Sequence, residues 1–168
     1  MAKEIEVKNL VIRDVFKKWF RVPEYQRPYI WGTDQVMDLL DDTYNAYQTN
    51  EDAQYFLGSM VLRTTQKQEG SVTYTEYELL DGQQRLVTIL LMFAVVRDIA
   101  LNTAAQGVLD KVTLDEFHEL ASECMDASYQ KKNVFKNLPE RMRVAFYTRE
   151  HVREFVDAYV KKDGSTGS

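Results

Sequence analysis

A chain of 168 residues, 45% hydrophobic and 28% charged, has the balance of one ordinary globular domain and excludes global disorder. Its formal net charge of -5 excludes a broad phosphate-binding footprint, so any nucleic-acid contact must be local and selective. The lone cysteine, Cys124, excludes an internal disulfide, and His118 and His151 are too far apart in sequence to suggest a zinc constellation.

The N-terminal Met-Ala-Lys-Glu-Ile-Glu is acidic and lacks a signal-peptide core. The longest apolar run, Leu86 to Val96, is eleven residues broken only by Thr88. A bilayer span needs about 20. A cytoplasmic, reducing setting without a membrane is therefore expected, with Cys124 as a buried structural thiol.

In chain order, Ile5 to Val11 alternates and Ile12 to Lys18 suggests a helical turn. Phe20 to Val22 reads as a strand. Pro23 and Pro28 push their preceding residues toward extended backbone, so Val22 to Ile30 should be an extended, well-packed loop. Thr33 can cap a helix to about Tyr47, with Val36, Leu39, Leu40, Tyr44 and Tyr47 on its packed face and Asp38, Asp41 and Asp42 solvated opposite. Tyr55 to Arg63 is rich in strand formers, with Gly58 as a bulge or close-approach point. Thr64 to Ser71 is polar and turn-like, and Val72 to Leu80 is a second strand pairing with the first as a hairpin.

From about Gly82 to Leu101 the chain should form the central buried helix, since it is apolar on nearly all sides between Leu86 and Val96. Thr113-Leu114-Asp115-Glu116 matches a capping box and opens a helix to about Ala127. Arg141 to Tyr147 alternates, with Met142, Val144 and Phe146 on one side, and is taken as a short strand in preference to one continuous helix from Pro139. Thr148 then caps a last helix to Val160, and Asp163 to Ser168 reads as a flexible end or the start of a linker.

Three segments carry chemistry. The first is Asp81-Gly82-Gln83-Gln84-Arg85, at a strand-to-helix turn. A helix N-terminus presents unpaired N–H groups and a partial positive charge, which suits an anion such as phosphate. Asp81 reads as the N-cap, Gln84 completes a capping box, Gly82 permits close backbone approach, and Arg85 offers a planar fork for phosphate. On spacing alone, a capped helix with Arg85 paired to a structural carboxylate is an equal alternative. The second is Val22 to Trp31. If extended, it projects Tyr25, Arg27, Tyr29 and Trp31 to one side, suited to stacking on a base or holding a phosphate. An aromatic lid over the core is the alternative. The third, Tyr55 to Leu62, lacks acid–base chemistry and reads as a core strand whose Gly58 admits a backbone or ligand.

Taken in order, Val-Pro-x-Tyr-Gln-Arg-x-Tyr-x-Trp, Phe-Leu-Gly-Ser and Leu-Asp-Gly-Gln-Gln-Arg-Leu resemble the N-terminal domain of GmrSD-type modification-dependent restriction endonucleases. The resemblance spans about Ile5 to Leu101, and beyond it the chain aligns only loosely. It implies an α+β, ParB/sulfiredoxin-like fold: a small mixed sheet, a buried central helix and additional C-terminal helices. Residues 1–101 would be the nucleotide-binding core, 102–162 a helical extension packed on the same domain, and 163–168 the tail.

The resemblance also implies a nucleotide site formed by Asp81, Gly82, Gln83, Gln84 and Arg85, faced by Tyr25, Gln26 and Arg27. NTP binding and hydrolysis there would regulate attack on modified DNA by a C-terminal nuclease domain. In that mechanism Arg85 and the first-turn amides hold the phosphates, Gln83 or Gln84 orients water, and Asp81 caps the helix or helps hold Mg2+. Neither a P-loop nor a His-Asn-His nuclease constellation is present in the sequence. One alternative is a non-catalytic module recognising DNA modification, with contacts centred on Arg27, Lys17, Lys18 and Arg21. Another is a ParB-like nuclease, for which Asp81 and Glu78 are the only nearby acids.

Overall fold

The computed structural model describes residues 5–50, 52, 54–133, 139–147 and 150–167. Thr148, expected to cap the last helix, lies outside the described residues. The elements are α1 (Ile12–Val15), β1 (Trp19–Val22), α2 (Thr33–Thr49), β2 (Val61–Glu69), β3 (Val72–Asp81), α3 (Gln83–Ala105), α4 (Lys111–Ser128), β4 (Tyr129–Gln130), β5 (Arg141–Met142), β6 (Val144–Phe146) and α5 (Glu150–Val156), which runs into a π-helical turn, Asp157–Lys161. This is the expected α+β domain with a small mixed sheet.

The main sheet has the order β2-β3-β1-β6. β1 runs parallel to both β3 and β6, and β2 pairs antiparallel with β3 from Leu62↔Leu79 to Glu69↔Val72. Gly70, at φ 60, and Ser71 close this hairpin. The hairpin is as expected, but its first strand is displaced toward the C-terminus. The polar stretch read as a turn is strand, because β2 is an edge strand whose exposed residues need no apolar side. The apolar stretch before it, residues 54–60, stays outside the sheet. Gly58 sits there at φ 108, which breaks the pairing, and Phe56 is 78% exposed rather than a core residue.

Strand alternation divides the sheet into two faces. Phe20, Val22, Leu79, Val144 and Phe146 turn to one side and meet Leu86, Val87, Leu90 and Ala94 of α3, together with Phe16, Val156 and Val160. Trp19, Arg21, Tyr74, Glu76 and Glu78 turn to the other. α3 runs four residues beyond the expected end and is long and apolar enough, by length and composition, to cross a membrane. Burial accounts for part of its apolarity, with the sheet on one side and Ala121, Cys124 and Met125 of α4 on another, while Val95, Val96 and Ile99 stay exposed. α4 begins earlier than the capping-box reading: Asp110, not Thr113, is the cap, and its side chain accepts from Val112 N at 2.9 Å and Thr113 N at 3.1 Å.

The C-terminal half closes on the buried pair Arg97 and Asp98. Arg97 Nε donates to Asp98 at 2.7 Å, and its Nη atoms donate to the carbonyls of Val160, Tyr159 and Lys162 at the open end of the π turn. Asp98 accepts from Gly164 N at 2.8 Å, Thr166 N at 3.0 Å and Thr166 Oγ1 at 2.8 Å, so the segment read as a tail is tied to α3.

Candidate functional site

β3 enters α3 through Gly82, which has φ 92 and serves as the helix N-cap position. A Cβ there would lie 2.7 Å from Met60 Cγ, and a left-handed backbone disfavours any L side chain, so glycine is required twice over. The first intrahelical bond is Leu86 N to Gly82 O at 3.1 Å, leaving the preceding amides of the turn without intrahelical partners.

Asp81 does not cap the helix. It ends β3 opposite Val61, exposed, because the left-handed Gly82 turns the chain before the first helical amides can reach its carboxylate. The capping box fails with it. Gln84 instead turns back on the loop before α2: Oε1 accepts from Ile30 N at 2.8 Å and Trp31 N at 3.3 Å, and Nε2 donates to Pro28 O at 3.0 Å. Oε1 accepts twice and one N–H of Nε2 is engaged, so the side chain is held as a clamp for this loop and its oxygen is committed there.

The three remaining polar residues of the turn part company. Gln83, only 7% exposed, lines a cavity of about 270 Å³ with Val22, Pro23, Gln26, Arg27, Tyr29 and Val87, closed on its far side by Phe146, His151, Val152, Phe155 and Val156. Gln83 Oε1 is buried with no hydrogen-bond partner among the described residues. A buried amide oxygen left unmet costs about 1–3 kcal/mol, so this cavity is lined by a polar group that the described residues do not satisfy.

Arg85 points elsewhere, into a second opening of about 300 Å³ with Trp31, Gln35, Asp38, Asp42, Tyr55, Phe56 and Gly58. Its guanidinium lies on Gly58, where a Cβ would be 2.3 Å from Nη1, and it makes no ion pair among the described residues. Gly58 is thus a close-approach point, as expected, and the group it admits is Arg85.

The loop from Val22 to Trp31 does not present its four large side chains on one side. Gln26 N donates to Pro23 O at 3.2 Å, forming a turn that breaks the extended register. Tyr25 Oη donates to Glu78 at 3.0 Å, Gln26 Nε2 donates to the carbonyls of Leu79 at 3.1 Å and Leu80 at 2.8 Å, and Tyr29 Oη shares a 2.9 Å hydrogen bond with Thr88 Oγ1. Arg27 and Trp31 line opposite openings. Gln26 and Arg27 of the expected facing wall line the first cavity with Gln83; Tyr25, the third, does not.

The expected DNA contacts do not form one patch. Lys17 pairs with Asp14 at 2.7 Å, Lys18 lies over the Tyr77 ring and Arg21 over the Tyr147 ring, while Arg27 stands at the other end of β1. Glu78, one of two acids near the turn, accepts from Arg63 Nε at 2.8 Å and from Tyr25. The Arg63 hydrogen bond outweighs the cost of burial and holds the carboxyl below its ordinary range, while burial and Glu78 together push the Tyr25 phenol up. That leaves Asp81 alone, and among the described residues no group of three potential metal ligands forms.

Sequence reasoning missed His151, Phe146 and Phe155 in the first cavity and the role of Asp38 and Asp42 in the second. No local motif marks them, because they reach the helix start from segments distant in sequence.

Fold and site define a class: an α+β domain whose buried central helix opens, through a left-handed glycine, between two cavities. The family model of the GmrSD restriction endonuclease N-terminal domain matches residues 7–166, and the chain belongs to that family. The match runs through the C-terminal half, past the Leu101 limit of the sequence resemblance, and places the domain in a restriction system acting on modified DNA. No curated protein matches the chain.

Proposed function

We propose that this domain binds a nucleotide beside the start of α3 and regulates a cytoplasmic restriction protein whose nuclease lies elsewhere in the assembly. The observation that carries this reading is the buried amide oxygen of Gln83, unpartnered among the described residues, in an otherwise largely apolar cavity. Apolar and aromatic walls suit the faces of a planar base, and a buried amide suits its polar edge. Because a glutamine amide can present either its oxygen or its nitrogen, it can meet a donor or an acceptor on that edge. Arg27, exposed among the lining residues, gives the phosphates a planar cationic partner. Any Mg2+ would arrive with the phosphates, since Asp81 belongs to no group of three potential ligands among the described residues.

The geometry supports binding better than hydrolysis by the turn itself. Gln84 is committed to the loop, Asp81 is at the strand end, and Arg85 opens to the opposite side. Nor does it favour a ParB-like nuclease, since Glu78 is consumed by Arg63 and Tyr25.

Calorimetric titration with each ribonucleoside triphosphate tests the reading. Wild type should bind at least one of them. Gln83→Ala and Arg27→Ala should each weaken it by about tenfold, the loss of roughly 1.4 kcal/mol for one hydrogen bond to a charged or buried group. Failure of every triphosphate to bind, or equal binding by wild type and Gln83→Ala, removes the nucleotide from this cavity. Parallel titration with modified and plain duplex DNA separates a DNA-reading module from a nucleotide site.

A further inference from the structure

α2 is expected from its sequence to bury Val36, Leu39, Leu40, Tyr44 and Tyr47 against the body. Only Leu39 is buried. No other helix or strand packs extensively along α2. It stands off the domain as a rod of 17 residues, about 25 Å long at 1.5 Å per residue.

The unburied residues form a pattern. Met37, Leu40, Tyr44 and Tyr47 are spaced three, four and three residues apart, which places them in one narrow stripe down the helix. They are exposed to between 39% (Leu40) and 63% (Tyr44). This is the seam spacing of a helix that packs against another helix, and scattered surface apolars do not follow it. The stripe also lies away from the second cavity, which α2 borders through Gln35, Asp38, Leu39 and Asp42.

Charge selects the occupant. Between Thr33 and Thr49 the helix carries Asp34, Asp38, Asp41 and Asp42 and no lysine or arginine. By the 3.6-residue period, Asp34 and Asp41 run beside the edge of the stripe next to Met37. A second copy of α2 packed antiparallel would set acid against acid, and a DNA backbone would be repelled outright. We propose that the α2 stripe is a docking surface for an amphipathic helix of a partner protein, apolar on one face and lined with Lys or Arg beside it. This reading is independent of the nucleotide site.

The test uses the whole domain and two synthetic helical peptides with the same leucine seam, one flanked by lysines and one by glutamates, followed by fluorescence anisotropy. The lysine-flanked peptide should bind at least about tenfold more tightly than its twin. The gap should shrink at roughly 1 M salt, where the screening length falls to about 3 Å. Binding should be lost in Leu40→Ser/Tyr44→Ser. Both positions are exposed, so the variant should melt with wild type, and a matching Tm separates lost docking from lost folding. Equal binding of the two peptides, or undiminished binding by the double variant, overturns the proposal. So does self-association through the stripe in sedimentation equilibrium, which would make a second copy the occupant.

Discussion

Gln83 and Gly58 show how single residues are held at an energetic disadvantage beside the openings. Gln83 keeps a buried Oε1 with no partner among the described residues. Replacing it by leucine removes a desolvated polar atom at similar volume, so Gln83→Leu should raise the melting temperature while abolishing triphosphate binding. Thermal unfolding with and without nucleotide reads both halves, and a fall in Tm would mean that the amide is satisfied. Gly58 has φ 108 under the Arg85 guanidinium. Gly58→Ala should destabilise by more than about 1 kcal/mol, combining backbone strain with the clash. In a double-mutant cycle with Arg85→Ala, the clash should vanish and the strain remain, so denaturant unfolding should show the double variant less destabilised than the sum of the two single ones.

Among the elements, the junction of the aromatic loop with α3 depends on Gln84. Its amide joins Pro28, Ile30 and Trp31 to the first turn of the helix. Gln84→Ala strands two backbone donors and one acceptor, so a loss of about 2–4 kcal/mol is expected from the leading one or two of these bonds. The Ile30 and Trp31 amides should then exchange with solvent faster than those of β1, as hydrogen exchange would show. This junction was only half legible in sequence. The Asp-Gly-Gln-Gln-Arg string announced a strand-to-helix turn, and the turn is there. The role of each residue was not legible, because the left-handed Gly82 sends neighbouring side chains to three different places.

For the molecule as a whole, closure rests on Arg97 and Asp98, which join α3 to the C-terminal turn. Burial opposes the Asp98 charge, but Arg97 and the donors of Gly164 and Thr166 prevail and hold its carboxyl well below the ordinary 3.8. A depressed folded pKa stabilises above the unfolded value and loses that contribution as pH falls below it toward the folded one. The domain should therefore weaken below about pH 4. Asp98→Ala, which removes the nearest charge partner of the buried Arg97 and the acceptor for Gly164 and Thr166, should cost about 3–5 kcal/mol at neutral pH and flatten the acid limb of a stability–pH curve.

Local periodicity and turn chemistry showed from sequence alone that a hairpin leads through Asp-Gly into a largely buried apolar helix, and that residues 141–147 are extended; the split of that stretch into β5 and β6, in different sheets, was not legible. Both depend on neighbours a few residues away. The division of the Asp-Gly-Gln-Gln-Arg string between two cavities, the lining by His151 and Phe155, the anchoring of residues 164–166 on Asp98 and the bare stripe of α2 were decided only by tertiary structure. Each turns on which distant surface a side chain meets. Amphipathic spacing tells which residues share a face, and packing alone tells whether anything covers it.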